Sequence, residues 1–398
     1  MSELRPLRKM ALTGDEAVAY AAKQADVDVV AAYPITPQTI IVERLSRYVA
    51  DGELNAAFIQ AESEHSALSI CIGAALAGAR TFTSTASQGL ALMHEVLHIA
   101  SSMRTPIVMA IANRALNSPL NIHCDHSDVM NARDTGWIHL FANNVQQAYD
   151  LTLMAFKIAE DPDLLLPVSV NMDGFILTHS VEPLEILSDE EVRQYIPHIP
   201  YPYRIDFDRP LAYGVMALPD TYMEFRKQLF EVTRKAPQVF RKASNIFSAI
   251  SGRSYDLLTP YFVEDADVIV IALGSTIETL RYAARRFRER RLKIGVVGLT
   301  MYRPFPEKEI VDVLENARCI AVLDRAYSYG GVGGPLYTDI LSTLYKNQIG
   351  VMIADFVYGL GGRDLKLTDI EQLFNKLFKS LEVGRFDQDI YWWGVKDD

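Results

Sequence analysis

Apolar runs of strand length alternate with segments of helical periodicity through the first part of the chain. Strand-like runs occupy residues 26–32, 56–59, 81–85 and 106–112. Helical spacing fills residues 37–49 and 64–79 and begins again near Leu90. Because strands that alternate with helices pair side by side through helical crossovers, this pattern predicts an α/β domain with a parallel sheet.

The same alternation returns near residue 265, with strands at 268–273, 294–299 and 319–324 and a helix at 276–291. Between the two alternating regions the prolines cluster, and residues 221–250 are charged and amphipathic. Such a stretch is typical of a helix that lies on a surface or on a partner subunit. We therefore predict an α/β domain over residues 1–182, an extension and linker over 183–262, and a second α/β domain over 263–398.

Charge and hydropathy narrow the functional class. The 398 residues include 39 Lys and Arg against 50 Asp and Glu, a formal net charge of −11. This balance disfavours nucleic acid or an anionic membrane as a partner. The apolar runs fall well short of the roughly 20 residues that span a bilayer, and the N-terminus lacks the apolar stretch of a signal peptide. We expect a cytoplasmic protein.

The cysteines exclude several kinds of site. Cys71, Cys124 and Cys319 are far apart, and the chain has no C-x-x-C pair. The sequence therefore predicts neither a zinc site nor an iron–sulfur cluster held by this chain alone, and no metal ligands are assigned. A disulfide framework is equally disfavoured, which fits a reducing compartment.

Two further clusters have simpler interpretations than a ligand site. The stretch from His123 to Asp128 superficially resembles a metal site, but neighbouring residues on one loop rarely converge on one ion. We predict a hydrogen-bonded loop there, in which Asp125, His126 and Asp128 remain candidates for lining a pocket. The glycines at 330–334 match neither the P-loop nor the dinucleotide-binding fingerprint, and a tight turn or an interface loop is favoured over a phosphate cradle.

Polar residues follow the predicted strands of the first domain. Thr36, Glu64, Ser87 and Arg114 all come just after a strand end, where parallel sheets bind ligands. Glu64 is either an exposed helix-start glutamate or a buried functional carboxylate, and the apolar residues after it make the second competitive. Arg114 is either a surface salt-bridge residue or a planar fork for a carboxylate, and spacing alone does not decide between them.

The sequence resembles the α subunit of 2-oxoacid:ferredoxin oxidoreductases, most closely the pyruvate enzyme of the multi-subunit type. The resemblance covers essentially the whole chain. It rests on YPITPQT (33–39), QAESEHSA (60–67), TSTASQGL (83–90), SSMRTPIVM (101–109), NRAL (113–116), CDHSD (124–128), RDTGWIHLFANN (133–144), GSTIETL (274–280), RPFP (303–306) and YGGVGG (329–334).

The resemblance implies a thiamine diphosphate enzyme with a pyrimidine-binding domain followed by a transketolase-C-terminal-like domain. It implies that Glu64 bonds the aminopyrimidine ring, with Pro34, Ile35, Ser87 and Gln88 as further cofactor contacts. It also implies that Thr36 and Arg114 hold the carboxylate and 2-oxo group of the substrate. The implied reaction is the oxidative decarboxylation of pyruvate with coenzyme A to acetyl-CoA, carbon dioxide and reduced ferredoxin, or its reverse.

The resemblance also implies partner subunits. The chain has no G-D-G…N motif for magnesium and diphosphate. By the family pattern a β subunit brings Mg²⁺, the diphosphate site and a [4Fe–4S] cluster, a δ subunit brings two more clusters, and a γ subunit completes the complex. Coenzyme A and ferredoxin are the expected acceptors of the acyl group and of the electrons. We expect this chain alone to be an inactive half-site.

Two positions depart from the pyruvate-type pattern NRALSAPINIW. In NRALNSPLNIH, Asn117 and His123 replace a small residue and an aromatic one, so both are candidate substrate-binding residues. They leave open a different 2-oxo acid, either aromatic, such as phenylglyoxylate, or branched-chain, with NAD as a possible final acceptor. Oxalate is disfavoured, since a second arginine is expected near Thr36 for its extra charge. A non-catalytic scaffold with the thiamine fold is the alternative from another class.

Overall fold

The computed structural model describes residues 8–396. Residues 1–7, which belong to the segment assessed for a signal peptide and to the predicted first domain, lie outside this range, as do residues 397–398 of the predicted second domain. The strands are β1 (Arg8–Leu12), β2 (Val29–Ala32), β3 (Ala57–Gln60), β4 (Thr81–Thr85), β5 (Ile107–Asn113), β6 (Ile138–Phe141), β7 (Val168–Asp173), β8 (Glu182–Ile186), β9 (Leu258–Tyr261), β10 (Val268–Ala272), β11 (Ile294–Leu299), β12 (Met301–Arg303), β13 (Cys319–Asp324), β14 (Met352–Tyr358) and β15 (Ile390–Trp393).

The helices are α1 (Gly14–Gln24), α2 (Thr39–Ala50), α3 (Glu64–Leu76), α4 (Ser87–Leu92), α5 (His94–Ser102), α6 (Ser127–Ala132), α7 (Val145–Ala159), α8 (Asp189–Tyr195), α9 (Tyr222–Thr233), α10 (Ala236–Ser251), α11 (Thr276–Glu289), α12 (Glu307–Leu314), α13 (Pro335–Lys346) and α14 (Leu367–Val383). A short 3₁₀ turn follows β14 at Leu360–Gly362. None of the helices within residues 8–396 has the length and apolar character needed to cross a bilayer.

The first half of the chain builds a seven-stranded sheet in the order β12-β6-β7-β5-β4-β2-β3. Every pair is parallel except β12 with β6, which is antiparallel at the edge. The central strand β5 is buried along its whole length, as its apolar sequence predicts for a strand covered by helices on both faces. The predicted parallel sheet is confirmed, with one antiparallel edge strand contributed by the second half of the chain.

The second sheet has six strands in the order β15-β14-β13-β10-β11-β9. It is parallel except for β9, which pairs antiparallel with β11 at the edge. Strand β9 comes from the segment predicted as extension and linker. An edge position suits it because its Pro260 has no N–H to donate to a second neighbour.

The extension contributes elements to both halves of the molecule. Strand β8 pairs antiparallel with β1 in a separate two-stranded sheet. The amphipathic stretch forms two helices, and α10 buries Val239, Phe240 and Phe247 in the core of the first domain. By contrast, Leu229 is the one buried residue of α9, so most of that helix faces outward.

A buried ion network joins the two sheets. Asp173, at the end of β7, accepts from His126 Nε2 at 2.7 Å and from Arg325 Nη1 at 3.0 Å, and from both the amide and the hydroxyl of Ser275. Although burial opposes ionisation, His126 and Arg325 lower the pKa of Asp173 below its usual range. Cys124, His126 and Asp173 bring ligand atoms within 4.8 Å of one another. Since Arg325 and His126 already bind both Asp173 oxygens, we interpret this group as an ion-pair network.

Candidate active site

Four adjacent strands bring the predicted site residues to one edge of the first sheet. Strands β3, β2, β4 and β5 are neighbours, and their carboxyl ends are followed by Glu64, Thr36, Ser87 and Arg114 respectively. The structure therefore confirms that these four residues lie just beyond strand ends at a common edge. Parallel α/β sheets place their ligands at this edge, because crossover loops leave a crevice there.

The loop after β2 is braced from within by a buried glutamine. Gln38 donates from Nε2 to the Tyr33 carbonyl at 2.8 Å and accepts from Ser84 Oγ at 3.0 Å. These bonds fix both ends of the proline-containing loop against β4. Thr36 and Pro34 are exposed and Ile35 is half-buried. The loop thus presents the Thr36 hydroxyl on the open side of the sheet edge.

Glu64 begins helix α3 and is buried, with only 6% of its surface exposed. Within residues 8–396 the Glu64 carboxylate makes no hydrogen bond, and Ser63 rather than Glu64 caps the helix. A Cβ added to Gly89 would lie 2.6 Å from Glu64 Oε1 and 2.5 Å from Thr85 Oγ1. The exposed helix-start alternative is therefore wrong. A buried carboxylate without a protein donor marks a place for a donor from outside the chain.

Two polar atoms beside Glu64 also lack partners. Thr85 Oγ1 and Gln88 Nε2 are buried, and neither meets a hydrogen-bonding group in the described part of the chain. Gln88 comes from the turn into α4, and its side-chain amide lies 2.7 Å from Ser87 Oγ. Glu64 Oε1 and Thr85 Oγ1 therefore lie side by side at Gly89, and the residue before this glycine carries the unpaired Gln88 Nε2. A planar heterocycle with ring nitrogens and an amino group can satisfy such a set.

Arg114 is buried and contacts backbone carbonyls rather than a carboxylate. Its Nη1 donates to the Thr36 carbonyl at 2.9 Å and its Nε to the Asn121 carbonyl at 3.2 Å. Its Nη2 has no acceptor among residues 8–396. Burial lowers the pKa of Arg114, and the charge of Asp128 opposes that shift. The surface salt-bridge alternative does not describe this residue, and one edge of its guanidinium remains available for an anion.

Asp128 is the residue whose role the sequence least revealed. Its Oδ2 accepts from the amides of Ser87 and Arg114, both at 3.0 Å. Its Oδ1 accepts from Asn113 Nδ2 at 3.0 Å and from the Val129 amide at 2.7 Å. Burial raises the pKa of Asp128 to about 6 in spite of these four donors. The sequence had named Asp128 only as a possible pocket residue, since nothing in its spacing points to Ser87 or Arg114.

Asn117 and His123 lie on the exposed loop that follows Arg114. The loop closes on itself, because the Ala115 amide donates to the His123 carbonyl at 3.0 Å. The His123 ring lies 5.2 Å from the ring of Phe175, measured between centroids. The Asn121 carbonyl in the middle of the loop accepts from Arg114. The two departures from the pyruvate-type pattern therefore flank the Arg114 contact.

The remaining members of the His123–Asp128 stretch bond within the fold, as predicted for a hydrogen-bonded loop. Asp125 accepts from the amide of Ser127 at 2.9 Å and from the amide of Gly361 at 3.3 Å. His126 binds Asp173 at the junction of the sheets. The side chains of Asp125 and His126 therefore hydrogen-bond within the fold and do not line a pocket.

Side chains of this chain occupy the space beside the glycines at 330–334. The Gly334 amide donates to Asp355 Oδ2 at 2.6 Å, and the Leu336 and Tyr337 amides donate to Asp324 at 3.0 and 2.8 Å. A Cβ on Gly334 would lie 2.3 Å from Asp324 Cγ, which explains the glycine. Two carboxylates thus occupy the start of α13 where a phosphate would bind, in agreement with the prediction of a tight turn.

Two protein-family profiles match this chain. The profile described as pyruvate flavodoxin/ferredoxin oxidoreductase, thiamine diphosphate-binding, matches residues 20–245, more than half of the chain. The profile described as pyruvate:ferredoxin oxidoreductase core domain II matches residues 266–370. Together the two matched ranges include all seven strands of the first sheet and the four inner strands of the second, while its edge strands β9 and β15 lie outside them.

Curated relatives match along nearly their whole length. The pyruvate synthase subunit PorA of Thermotoga maritima is 47% identical over 371 residues, which cover 93% of this chain and 94% of that protein. The ketoisovalerate oxidoreductase subunit VorA of Pyrococcus abyssi is 39% identical over 398 residues, which cover 100% of both.

A solved structure supports the fold class. The 2-oxoglutarate:ferredoxin oxidoreductase from Magnetococcus marinus, with 2-oxoglutarate, coenzyme A and succinyl-CoA bound, aligns with a TM-score of 0.69 at 21% identity. The alignment covers 94% of this chain and 66% of that longer chain. At this identity the likeness establishes the fold alone, and it confirms the predicted pair of α/β domains.

Proposed function

Because this chain belongs to the pyruvate flavodoxin/ferredoxin oxidoreductase family, we propose that it is the α subunit of a thiamine diphosphate-dependent pyruvate:ferredoxin oxidoreductase. The reaction is the oxidative decarboxylation of pyruvate with coenzyme A to acetyl-CoA, carbon dioxide and reduced ferredoxin, or its reverse. Family membership confirms the resemblance found in the sequence. The pyruvate synthase subunit of Thermotoga maritima, at 47% identity, supports pyruvate as the substrate.

The observation that carries the proposal is the unpartnered Glu64 carboxylate beside Gly89. The aminopyrimidine of thiamine diphosphate fits the atoms gathered there, because its ring nitrogen can bond to Glu64 and its other polar atoms to Gln88 Nε2 and Thr85 Oγ1. Pro34 and Ile35, on the loop across the edge, are the further contacts we assign. When bound, thiamine diphosphate supplies the carbon nucleophile for the 2-oxo carbon and accepts the electrons left when carbon dioxide departs.

The chain's own residues bind and orient the substrate. The open edge of Arg114 is suited to the substrate carboxylate, which a guanidinium binds through two parallel bonds. Thr36 shares the same anchor, because its carbonyl accepts from Arg114 while its hydroxyl stays exposed. We assign that hydroxyl as the donor to the 2-oxo group. Glu64 holds or moves the proton at the ring nitrogen of the cofactor.

The rest of the site comes from partner subunits in this proposal. A β subunit brings Mg²⁺, the diphosphate site and a [4Fe–4S] cluster, and γ and δ subunits complete the electron path to ferredoxin. The cysteine count supports this, since the chain has three cysteines and a [4Fe–4S] cluster is held by four thiolates. The relatives from Thermotoga maritima and Pyrococcus abyssi are each named as a subunit, which supports an assembly as well.

A branched-chain 2-oxo acid is the second candidate substrate. It is favoured by the ketoisovalerate oxidoreductase subunit of Pyrococcus abyssi, which matches this chain from end to end. Asn117 and His123 lie on the loop whose Asn121 carbonyl accepts from Arg114, so we assign them to the wall of the pocket next to the substrate carboxylate.

The test is a substrate panel on the native complex purified through this chain. With thiamine diphosphate, Mg²⁺, coenzyme A and oxidised viologen dye, kcat/KM is compared for pyruvate, 2-oxoisovalerate, 2-oxoglutarate and phenylglyoxylate. Preference for pyruvate is the expected result, and preference for 2-oxoisovalerate would move the substrate to the second candidate. Absence of dye reduction with all four acids would contradict the proposed function, provided that the dye is reduced by a control oxidoreductase.

A further inference from the structure

One carboxylate holds two parts of the candidate site at a fixed spacing. Asp128 Oδ2 accepts from the Ser87 amide and from the Arg114 amide, both at 3.0 Å. Ser87 opens the segment that carries Gln88 and Gly89, and Arg114 carries the guanidinium. A single oxygen atom of Asp128 therefore bridges the backbone just after β4 and the backbone just after β5.

We infer that Asp128 is a positioning residue, which keeps the Arg114 guanidinium in register with the Ser87–Gly89 segment so that substrate and cofactor meet in one geometry. This inference rests on the proposed function. We assign no contact between Asp128 and the substrate, because the Asp128 carboxylate already accepts four hydrogen bonds from within the chain.

The energetics of Asp128 argue for this role over a merely structural one. The residue is 2% exposed, and none of its four donors carries a charge. Burying an anion without a cation in direct contact is costly, and a neutral acceptor would fill the same space at lower cost. An anion is required where several amide donors must be held by two oxygens, since a carboxylate accepts on both and has no N–H to clash.

The local backbone shows what Asp128 restrains. Ser87 has a φ of +47°, in the left-handed region that non-glycine residues seldom adopt. Its hydroxyl donates to the Ala115 carbonyl at 2.5 Å, so the two strand ends are also joined directly. Without the Asp128 bonds, Ser87 is free to relax to φ below zero, which moves Gln88 and Gly89 relative to Glu64 and Arg114.

The test compares Asp128→Asn with Asp125→Asn in the assembled complex. Asp125 lies just before the helix α6 that carries Asp128, is similarly buried at 6%, and bonds Ser127 and Gly361 rather than any site residue. In Asp128→Asn we expect KM for the 2-oxo acid to rise about tenfold or more, and kcat to fall less than KM rises. We also expect the dissociation constant of thiamine diphosphate, measured by fluorescence quenching without substrate, to rise about fivefold.

A structural role predicts something different. It predicts that both variants lower the thermal midpoint of the complex while KM and cofactor affinity stay within about twofold of the unsubstituted protein. That result would overturn the inference, as would equal increases in KM in both variants. Failure of the proposed function is distinguishable, because then the unsubstituted complex oxidises none of the four acids, while the cofactor affinities of the two variants still decide the role of Asp128.

Asn113→Ala keeps the inference testable if Asp128→Asn does not assemble. It removes the Nδ2 donor to Asp128 Oδ1 but leaves the Ser87 and Arg114 amides in place. A rise in KM of about threefold is expected from the loosened carboxylate. An unchanged KM in Asn113→Ala would contradict the inference.

Discussion

Gly89 leaves room for the carboxylate of Glu64. A Cβ at residue 89 would stand 2.6 Å from Glu64 Oε1, well inside contact distance. The glycine and the acid lie on different helices, α4 and α3, at the same sheet edge. The position of the acid proposed to meet the cofactor therefore depends on the absence of a side chain on its neighbour.

Gly89→Ala should displace Glu64 and lower kcat by about a hundredfold, because a shift of about 1 Å in a positioned group costs that much. The measurement is thiamine diphosphate-dependent dye reduction by the complex. Gly350→Ala is the control, since a Cβ there meets nothing within 4 Å and its backbone is unstrained. Equal activity of the two variants would show that Glu64 is not fixed by this contact.

Arg114→Lys should raise KM for the 2-oxo acid by about tenfold or more, since lysine cannot bind Thr36, Asn121 and a carboxylate through one planar fork. The control is Arg104→Lys. Arg104 also donates to backbone carbonyls, those of Leu164 and Leu165, but it lies away from the site edge. Steady-state kinetics that show the same KM change in both variants would point to general loosening rather than to substrate binding.

Asn117 and His123 should determine the choice between small and branched 2-oxo acids. Replacing them together, with Asn117→Ser and His123→Trp, should change the ratio of kcat/KM for pyruvate to that for 2-oxoisovalerate by about tenfold, the worth of one or two methylene groups in a pocket. The measurement is the ratio itself, so partial loss of activity does not obscure it. A constant ratio would place specificity elsewhere.

The buried Asp173 should contribute strongly to stability. Asp173→Asn leaves the buried Arg325 without its carboxylate, which costs about 3–5 kcal/mol. The matched change is Asp134→Asn, whose ion pairs with Arg133 and Arg303 are at the surface and are worth about 1 kcal/mol or less. Thermal unfolding of the complex compares the two variants, and similar midpoints would contradict the importance of the network.

The acid pair at α13 should make stability depend on pH. Burial raises the pKa of Asp355 to about 6, and burial together with the Asp355 charge raises the pKa of Asp324 well above its usual range. A carboxyl whose folded pKa is raised binds more protons in the folded state, so stability falls as pH rises from about 4 to about 6 and stays lower above that.

Asp355→Asn removes the Asp355 part of this loss of stability at high pH. The side-chain amide oxygen at residue 355 can still accept from the Gly334 amide. We expect the thermal midpoint of the variant complex to exceed that of the unsubstituted complex at pH 8, and the difference to shrink at pH 5. A variant that is less stable at pH 8 would show that the Asp355 charge supports the turn rather than strains it.

Local sequence patterns predicted much of the sheet framework. The predicted strands at 81–85, 294–299 and 319–324 coincide with β4, β11 and β13, because continuous apolar or β-branched runs fit strands buried on both faces. Edge strands are harder to predict from the sequence than central strands. Strand β12 has three residues and pairs with β6, which lies more than 150 residues earlier in the chain. No local sequence pattern therefore predicts this strand.

The same limit applies to the site. Thr36, Glu64, Ser87 and Arg114 were found because strand ends are local features. Asp128 was predicted only as a candidate for lining a pocket and Asp173 was not singled out, because their importance comes from donors on several elements that meet only in the folded chain. The burial of Glu64 and Arg114 likewise required the structure to decide between the two alternatives for each.

Glu64→Ala in the assembled complex tests most directly our proposal that Glu64 acts on a thiamine cofactor shared with a partner subunit. We measure viologen reduction with saturating 2-oxo acid, coenzyme A and thiamine diphosphate, and we confirm assembly by size-exclusion chromatography. We expect the Glu64→Ala complex to assemble normally and its turnover to fall by about a thousandfold or more, because Glu64 is needed for proton transfer. Turnover equal to that of the unsubstituted complex would contradict the claim and favour a scaffold role for this chain.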